Sequence, residues 1–208
     1  MNKKIVIIAG GRLIPVPLLK AEMQSCDFII AVNGGLSNAS KLEVTPDLVI
    51  GDMDSAPAIS INIPAKIYPQ QKDYTDLELA LEHAFTLNPE FITLMGALGD
   101  RIDHSLANLF LLNRIPFPVG KILTEEAEIF LLVKSTIFSA QVGSIISLLP
   151  LSDNVEEIFM DGVYYPLLGE TLSFGQCRGI SNIAIEREVK ISFTRGKLLV
   201  IKYFKTEV

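Results

Sequence analysis

Four short apolar runs, Ile5 to Ala9, Phe28 to Val32, Leu48 to Ile50 and Phe91 to Met95, each stop at a glycine or an asparagine-glycine pair. Stretches with a different rhythm lie between them. Val16 to Ser25 is amphipathic, and Leu77, Ala80, Leu81, Ala84 and Phe85 recur at three- and four-residue intervals behind Thr75-Asp76-Leu77-Glu78, which has capping-box spacing. A further helix is expected from Asp103 or His104, carrying Leu106, Leu109, Phe110 and Asn113, and ending before Pro116 and Pro118. Short buried strands alternating with helical patterns predict a parallel sheet with right-handed crossovers, an α/β fold.

Beyond about residue 135 the texture changes to brief β-prone runs broken by Gly, Pro, Asp and Asn. Ser144 to Leu149, Val155 to Met160, Thr171 to Phe174, Glu188 to Thr194 and Lys197 to Tyr203 each read as a strand, with no helical period to compete. Thr194-Arg195-Gly196-Lys197 reads as a hairpin turn between the last two. The expected organisation is an α/β domain over residues 1–135 and an all-β sandwich over 136–208.

Composition narrows the setting. No run in the 208 residues reaches the roughly 18 consecutive apolar residues of a membrane span, despite an apolar share of 49%. The start, Met1 to Ala9, reads as a first buried strand rather than a leader segment, because its apolar run is short and lacks a small-residue cleavage site. Cys26 and Cys177 are far apart and fit no metal or redox spacing, which suits a reducing cytoplasm. A formal charge of −6 without a basic stripe argues against a nucleic-acid partner. An acidic chain that acts on anionic nucleotides needs a metal ion and a few local cations to offset the repulsion.

The strand ends carry the candidate chemistry. Gly10-Gly11-Arg12, Asn33-Gly34-Gly35, Gly51-Asp52-Met53-Asp54 and Gly96 to His104 follow the four runs in turn. Glycines there let backbone N–H groups approach a phosphate with no Cβ in the way. Asp52 and Asp54, two residues apart on extended backbone, point to the same side and can share a divalent cation; the same stretch also fits an acidic turn. Lys72-Asp73-Tyr74-Thr75-Asp76 adds two carboxylates and a cation at a helix start, where Asp76 also suits the helix dipole. Asp103 reads equally as an N-cap, and His104 with Asn108 as an exposed i, i+4 pair. A Ser-His-Asp hydrolase is a poor fit: no G-x-S-x-G elbow exists, and His83 and His104 are the only imidazoles. Phosphoryl-type transfer with Mg²⁺ uses all these features.

The ordered blocks Asn33-Gly34-Gly35, Pro46 to Ser55, Lys72 to Asp76, Gly96 to His104 with Asn108, and Gly179-Ile180-Ser181-Asn182 closely resemble the thiamine pyrophosphokinase family over nearly the whole chain. The resemblance implies a Rossmann-like nucleotide domain, a thiamine-binding β-sandwich and a homodimer with shared sites. It implies that ATP and thiamine give AMP and thiamine diphosphate. Asp52, Asp54 and Asp76 would organise Mg²⁺, with Asp54, Asp76, Asp73 and Arg101 as the catalytic group. Asn33, Gly34, Gly35, Lys72, Gly99, Asp103, His104 and Asn108 would hold the nucleotide, and Ser181 and Asn182 would reach thiamine. This chain departs from the family pattern at Asn33, where Asp is usual, and at Asp100, where a glycine is. A pyrophosphokinase for another hydroxymethyl heterocycle such as a pterin, or a non-catalytic nucleotide or thiamine diphosphate sensor, stays open on the residues alone.

Overall fold

The computed structural model describes residues 3–52, 63–99 and 101–204. Asp54 and Asp100, both singled out above, lie outside the described residues. The chain divides into two compact units, Met1–Glu125 and Glu126–Val208.

The first unit runs β1 (Lys3–Ile8), α1 (Pro17–Gln24), β2 (Phe28–Val32), α2 (Gly35–Lys41), β3 (Leu48–Gly51), β4 (Ala65–Ile67), α3 (Asp76–Thr86), β5 (Pro89–Met95), α4 (Ile102–Leu111) and β6 (Gly120–Leu123). Its strands lie in the order β6-β5-β1-β2-β3-β4, each parallel to its neighbours. Ile5, Val6, Ile7 and Ile8 of β1 are each at most 1% exposed. Such a strand is apolar on both faces, as a parallel strand covered on both sides must be. Truncating Ile7 to Ala would cost about 3 kcal/mol by the usual core penalty. From β1 the chain proceeds to β2, β3 and β4 on one side and then returns to β5 on the other. Strand order therefore reverses at β1 and β5, and ligands of open parallel sheets collect in the crevice this creates beyond the strands' C-terminal ends.

α3 starts where its capping box predicts. The Thr75 hydroxyl accepts from the Glu78 N–H at 3.2 Å, and the Glu78 carboxylate accepts from the Thr75 N–H at 3.1 Å. Leu77, Ala80, Leu81 and Ala84 form its buried face. α2 has no counterpart in the apolar pattern, since Gly35-Leu36-Ser37-Asn38-Ala39-Ser40-Lys41 is poor in strong helix formers. Tertiary contacts hold it: Leu36 packs with Ala31 and Val49 in the core, and Ala39 is buried as well.

The second unit consists of β7 (Ala127–Leu132), β8 (Thr136–Ser139), β9 (Ile145–Pro150), β10 (Asn154–Asp161), β11 (Leu168–Ser173), β12 (Asn182–Ile183), β13 (Glu188–Ser192) and β14 (Leu198–Tyr203). They pair antiparallel in the orders β12-β9-β14-β7 and β11-β10-β13-β8. The hairpin expected at Thr194 to Lys197 is not there. β13 pairs with β10 and β8, whereas β14 pairs with β7 and β9, so this connection carries the chain from one set of strands to the other. Its local glycine signal is real, with Gly196 at φ +115°, but strand partners are chosen by long-range burial.

Candidate functional site

A cavity of about 880 Å³ opens at the C-terminal ends of β1, β2, β3 and β5, where the strand order reverses. Its walls come from the strand-end segments: Gly10, Gly11 and Arg12 after β1, Asn33 and Gly34 after β2, Asp52 after β3, and Gly96, Ala97 and Gly99 after β5. Residues around the start of α3, among them Lys72, Thr75 and Asp76, close another side.

Gly35 and Gly51 are among the glycines that the packing of these loops requires. A Cβ on Gly35 would strike the Ile8 carbonyl of β1, so α2 can begin this close to the sheet only with glycine there. A Cβ on Gly51 would strike the Asn33 carboxamide, and Gly51 also has φ +154°. Asn33 itself sits at φ +44°, a conformation asparagine tolerates better than most residues.

That conformation aims the Asn33 amide at the start of α3. Its Nδ2 donates to Asp76 Oδ2 at 2.6 Å. The Lys72 ammonium lies 2.9 Å from Asp76 Oδ1, and the two side chains are only 14% and 19% exposed. Oδ1 is buried, and the Lys72 contact is an ion pair without the angle of a directed hydrogen bond. Asn33, Lys72 and Asp76 thus form one half-buried group in which a carboxylate is held by a neutral donor and a cation.

Arg101 and Asp103 make a different arrangement. Arg101 Nε and Nη2 donate to the two oxygens of Asp103 at 2.9 and 2.6 Å. Both side chains are about two-thirds exposed or more, at 71% and 66%. These bonds, with the Arg101 charge, hold the Asp103 carboxyl well below the usual carboxylate range and push the Arg101 guanidinium higher. Arg101 lines the cavity, whereas Asp103 stands outside its lining and reaches it through Arg101. Asp103 is not the N-cap of α4; Arg101 holds that position without a side-chain cap.

The remaining expected site residues fall into distinct places. Gly34, Gly99, His104 and Asn108 line the cavity. Asn108 is no exposed partner of His104: it is 8% exposed and its Nδ2 donates to the Ala97 carbonyl at 2.6 Å, fixing the loop after β5. Gly35 lies buried at the start of α2 beside Gly34, and Asp73 is exposed and outside the lining. Ser181 and Asn182 belong to the second unit. Asn182 is 7% exposed, and its amide both donates to the Tyr165 carbonyl at 2.7 Å and accepts the Tyr165 N–H at 3.0 Å. Ser181 is exposed, at φ +59°.

Sequence reasoning missed Asn38, Lys41, Gln70 and Ser105. Lys41, Gln70 and Ser105 line the cavity, and Ser105 clamps Gly99, accepting its N–H at 3.0 Å and donating to its carbonyl at 3.2 Å. Asn38 and Lys41 lie on α2, and without a periodic signal for that helix nothing placed them near the strand ends. Among the described residues no three His, Cys, Asp or Glu side chains converge as a ready metal cluster. Asp52 and Asp76 are the carboxylates lining the cavity there.

A family model described as thiamin pyrophosphokinase, catalytic domain, matches residues 19–123, and one described as thiamin pyrophosphokinase, vitamin B1 binding domain, matches residues 134–198. A Bacillus subtilis relative named thiamine pyrophosphokinase is 30% identical over 96% of this chain and 98% of its own. An Arabidopsis thaliana relative, thiamine pyrophosphokinase 1, is 30% identical over 77% of this chain and 67% of its own. Crystal structures of thiamine pyrophosphokinases from Bacillus subtilis and Geobacillus thermodenitrificans superpose with TM-scores of 0.86 and 0.84, each at 26% identity. They cover 98% of this chain, and 100% and 99% of their own. With both family models in order along the chain and a relative matched almost end to end, this chain belongs to the thiamine pyrophosphokinase family.

Proposed function

We propose that this chain transfers the terminal diphosphoryl group of ATP to the hydroxyl of thiamine, giving thiamine diphosphate and AMP. The thiamine oxygen bonds to the β-phosphorus, the bond from that phosphorus to the oxygen bridging to the α-phosphate breaks, and AMP leaves with that oxygen. The observation that carries this reading is the cavity at the strand ends, lined by glycine loops, basic side chains and the carboxylates Asp52 and Asp76. Its family membership names the acceptor.

In this reading the first unit is a Rossmann-like catalytic domain. Its loops at Asn33, Gly34, Gly35 and Gly99, with His104 and the Asn108-braced segment, cradle the nucleotide. Lys72 and Arg101 balance the charge of the triphosphate, which in such transfers is most of what a protein supplies. Asp52, Asp54 and Asp76 are the residues that would hold Mg²⁺. The all-oxygen donors suit a hard divalent ion, and Asp76 Oδ1, buried without a directed hydrogen bond, would offer it a lone pair as the Lys72 ammonium gives way. When bound, the ion supplies neutralisation of the diphosphoryl oxygens. Asp54 and Asp76 are the candidates to take the hydroxyl proton, and Asp73 supports the acidic cluster. The second unit is a β-sandwich, a reading supported by alternating burial along β10 and by the edge-to-face contact of Phe130 and Phe138 at 5.2 Å. Ser181 reaches thiamine within a homodimer, and Asn182 orients the Tyr164-Tyr165 segment beside it. The protein works in the cytoplasm, a setting suited to two free cysteines that fit no redox or metal spacing.

The test is AMP and thiamine diphosphate measured together, from ATP and Mg²⁺, with thiamine or a pterin alcohol as acceptor. Equal, thiamine-dependent formation of both products is expected. AMP formed only with the pterin, or nucleotide binding without any AMP, would overturn the assignment.

A further inference from the structure

Four basic side chains line the cavity among the described residues: Arg12, Lys41, Lys72 and Arg101. Three of them face a carboxylate. Arg12 Nε lies 3.4 Å from Glu125, Lys72 lies 2.9 Å from Asp76, and Arg101 is gripped by both oxygens of Asp103. Lys41 is held by a neutral group instead, its ammonium donating to Asn38 Oδ1 at 3.0 Å.

The orientation of Asn38 is fixed by its other bonds. Asn38 is 2% exposed, and its Nδ2 donates to the carbonyls of Ala9 and Gly11, both at 2.8 Å. With its two amide hydrogens used on those carbonyls, only the oxygen side is left to meet Lys41. The same side chain therefore braces the glycine loop after β1 and sets the ammonium against the cavity wall. An ammonium carries three donors, and Asn38 takes one. The positive charge of Lys41 meets no carboxylate among the described residues, so an anionic ligand entering the cavity does not have to displace one.

Resting on the nucleotide reading above, we propose that Lys41 binds the polyphosphate of ATP, with Asn38 as its positioning residue. Lys41 contributes to holding the nucleotide and not to acceptor recognition. Its position in the last turn of α2 also complements the helix dipole, a role indifferent to nucleotide.

The experiment measures binding of α,β-methylene-ATP, whose modified bridge resists cleavage where the reaction cuts, to wild type, Lys41→Met, Lys41→Arg and Lys20→Met. Lys20 is a half-exposed lysine paired with Glu43 and outside the cavity lining, so its variant controls for net charge alone. Lys41→Met should bind the analogue about tenfold more weakly or worse, the usual loss for a hydrogen bond to a charged group. KM for ATP should rise in step while KM for thiamine and Tm stay put. Lys41→Arg should recover most of the affinity, and Lys20→Met should match wild type. Wild-type affinity in Lys41→Met, or an equal loss in Lys20→Met, would overturn the role of Lys41 even in an enzyme that turns over normally. A wild-type chain that binds no analogue would overturn the nucleotide reading and this inference together.

Discussion

Two of the ion pairs at the cavity, Lys72–Asp76 and Arg101–Asp103, differ mainly in how much water surrounds them. Lys72 and Asp76 are mostly buried and joined by Asn33; Arg101 and Asp103 are mostly exposed and joined to each other by their paired bonds. A buried pair is weakly screened, so removing one partner strands the other, whereas an exposed pair is screened and contributes little to stability. The first arrangement is built to hold one geometry before any ligand arrives. The second keeps a guanidinium close to the cavity mouth at little cost to folding, free to exchange its carboxylate for phosphate oxygens.

Asp76→Asn should give the largest effect on function. It removes a negative oxygen from the proposed metal and phosphate centre, and formation of AMP and thiamine diphosphate should fall by about a thousandfold, as for loss of one preorganised electrostatic group. Asn33→Asp should come next, because it places a second carboxylate where an amide now donates at 2.6 Å. The metal-free protein should lose about 3 kcal/mol of stability by like-charge repulsion, and Mg²⁺ should restore more of it than it adds to wild type. Lys72→Met should cost about 2 kcal/mol in urea unfolding, since it leaves the Asp76 carboxylate without its cation.

Asp103→Asn should leave the unfolding transition where it is and lower KM for ATP only a few-fold, because phosphate oxygens no longer have to displace the Asp103 carboxylate from Arg101. Its pH dependence follows from the lowered carboxyl. A carboxylate with a depressed folded pKa adds stability above its unfolded pKa and loses it only as pH falls through the folded value. The Arg101–Asp103 bonds therefore persist across the neutral and mildly acidic range, and the ratio of mutant to wild-type KM should stay constant from about pH 5 to 8. A stability loss in Asp103→Asn as large as that in Lys72→Met would erase the contrast between the two pairs.

The half-buried group was the more legible of the two. Thr75 to Glu78 announces the start of α3 through local capping, and the apolar runs before Asn33 and Gly51 end where their strands end, so Asn33, Asp52 and Asp76 could all be brought to one edge. The glycine after β5 and Arg101 followed by the same reasoning. What escaped was set by partners distant in sequence. α2 forms against intrinsic propensity because Gly35 fits beneath the Ile8 carbonyl, and Lys41 and Asn38 escaped with it. β4 is an exposed edge strand with no apolar alternation, and β6 and β7 are short runs on either side of Thr124-Glu125-Glu126 that no helical or alternating period marks. Asn108 shares a helical spacing with His104 and yet faces the Ala97 carbonyl, which only the packing of α4 decides.

The measurement closest to the central claim is Mn²⁺ binding, followed by electron paramagnetic resonance in the presence of α,β-methylene-ATP, for wild type and Asp76→Asn. If the buried group around Asp76 holds the divalent ion, wild type should bind Mn²⁺ with the nucleotide and Asp76→Asn should lose most of that affinity while remaining folded. Unchanged Mn²⁺ binding in Asp76→Asn would contradict the account and move the metal away from the Asn33, Lys72 and Asp76 group.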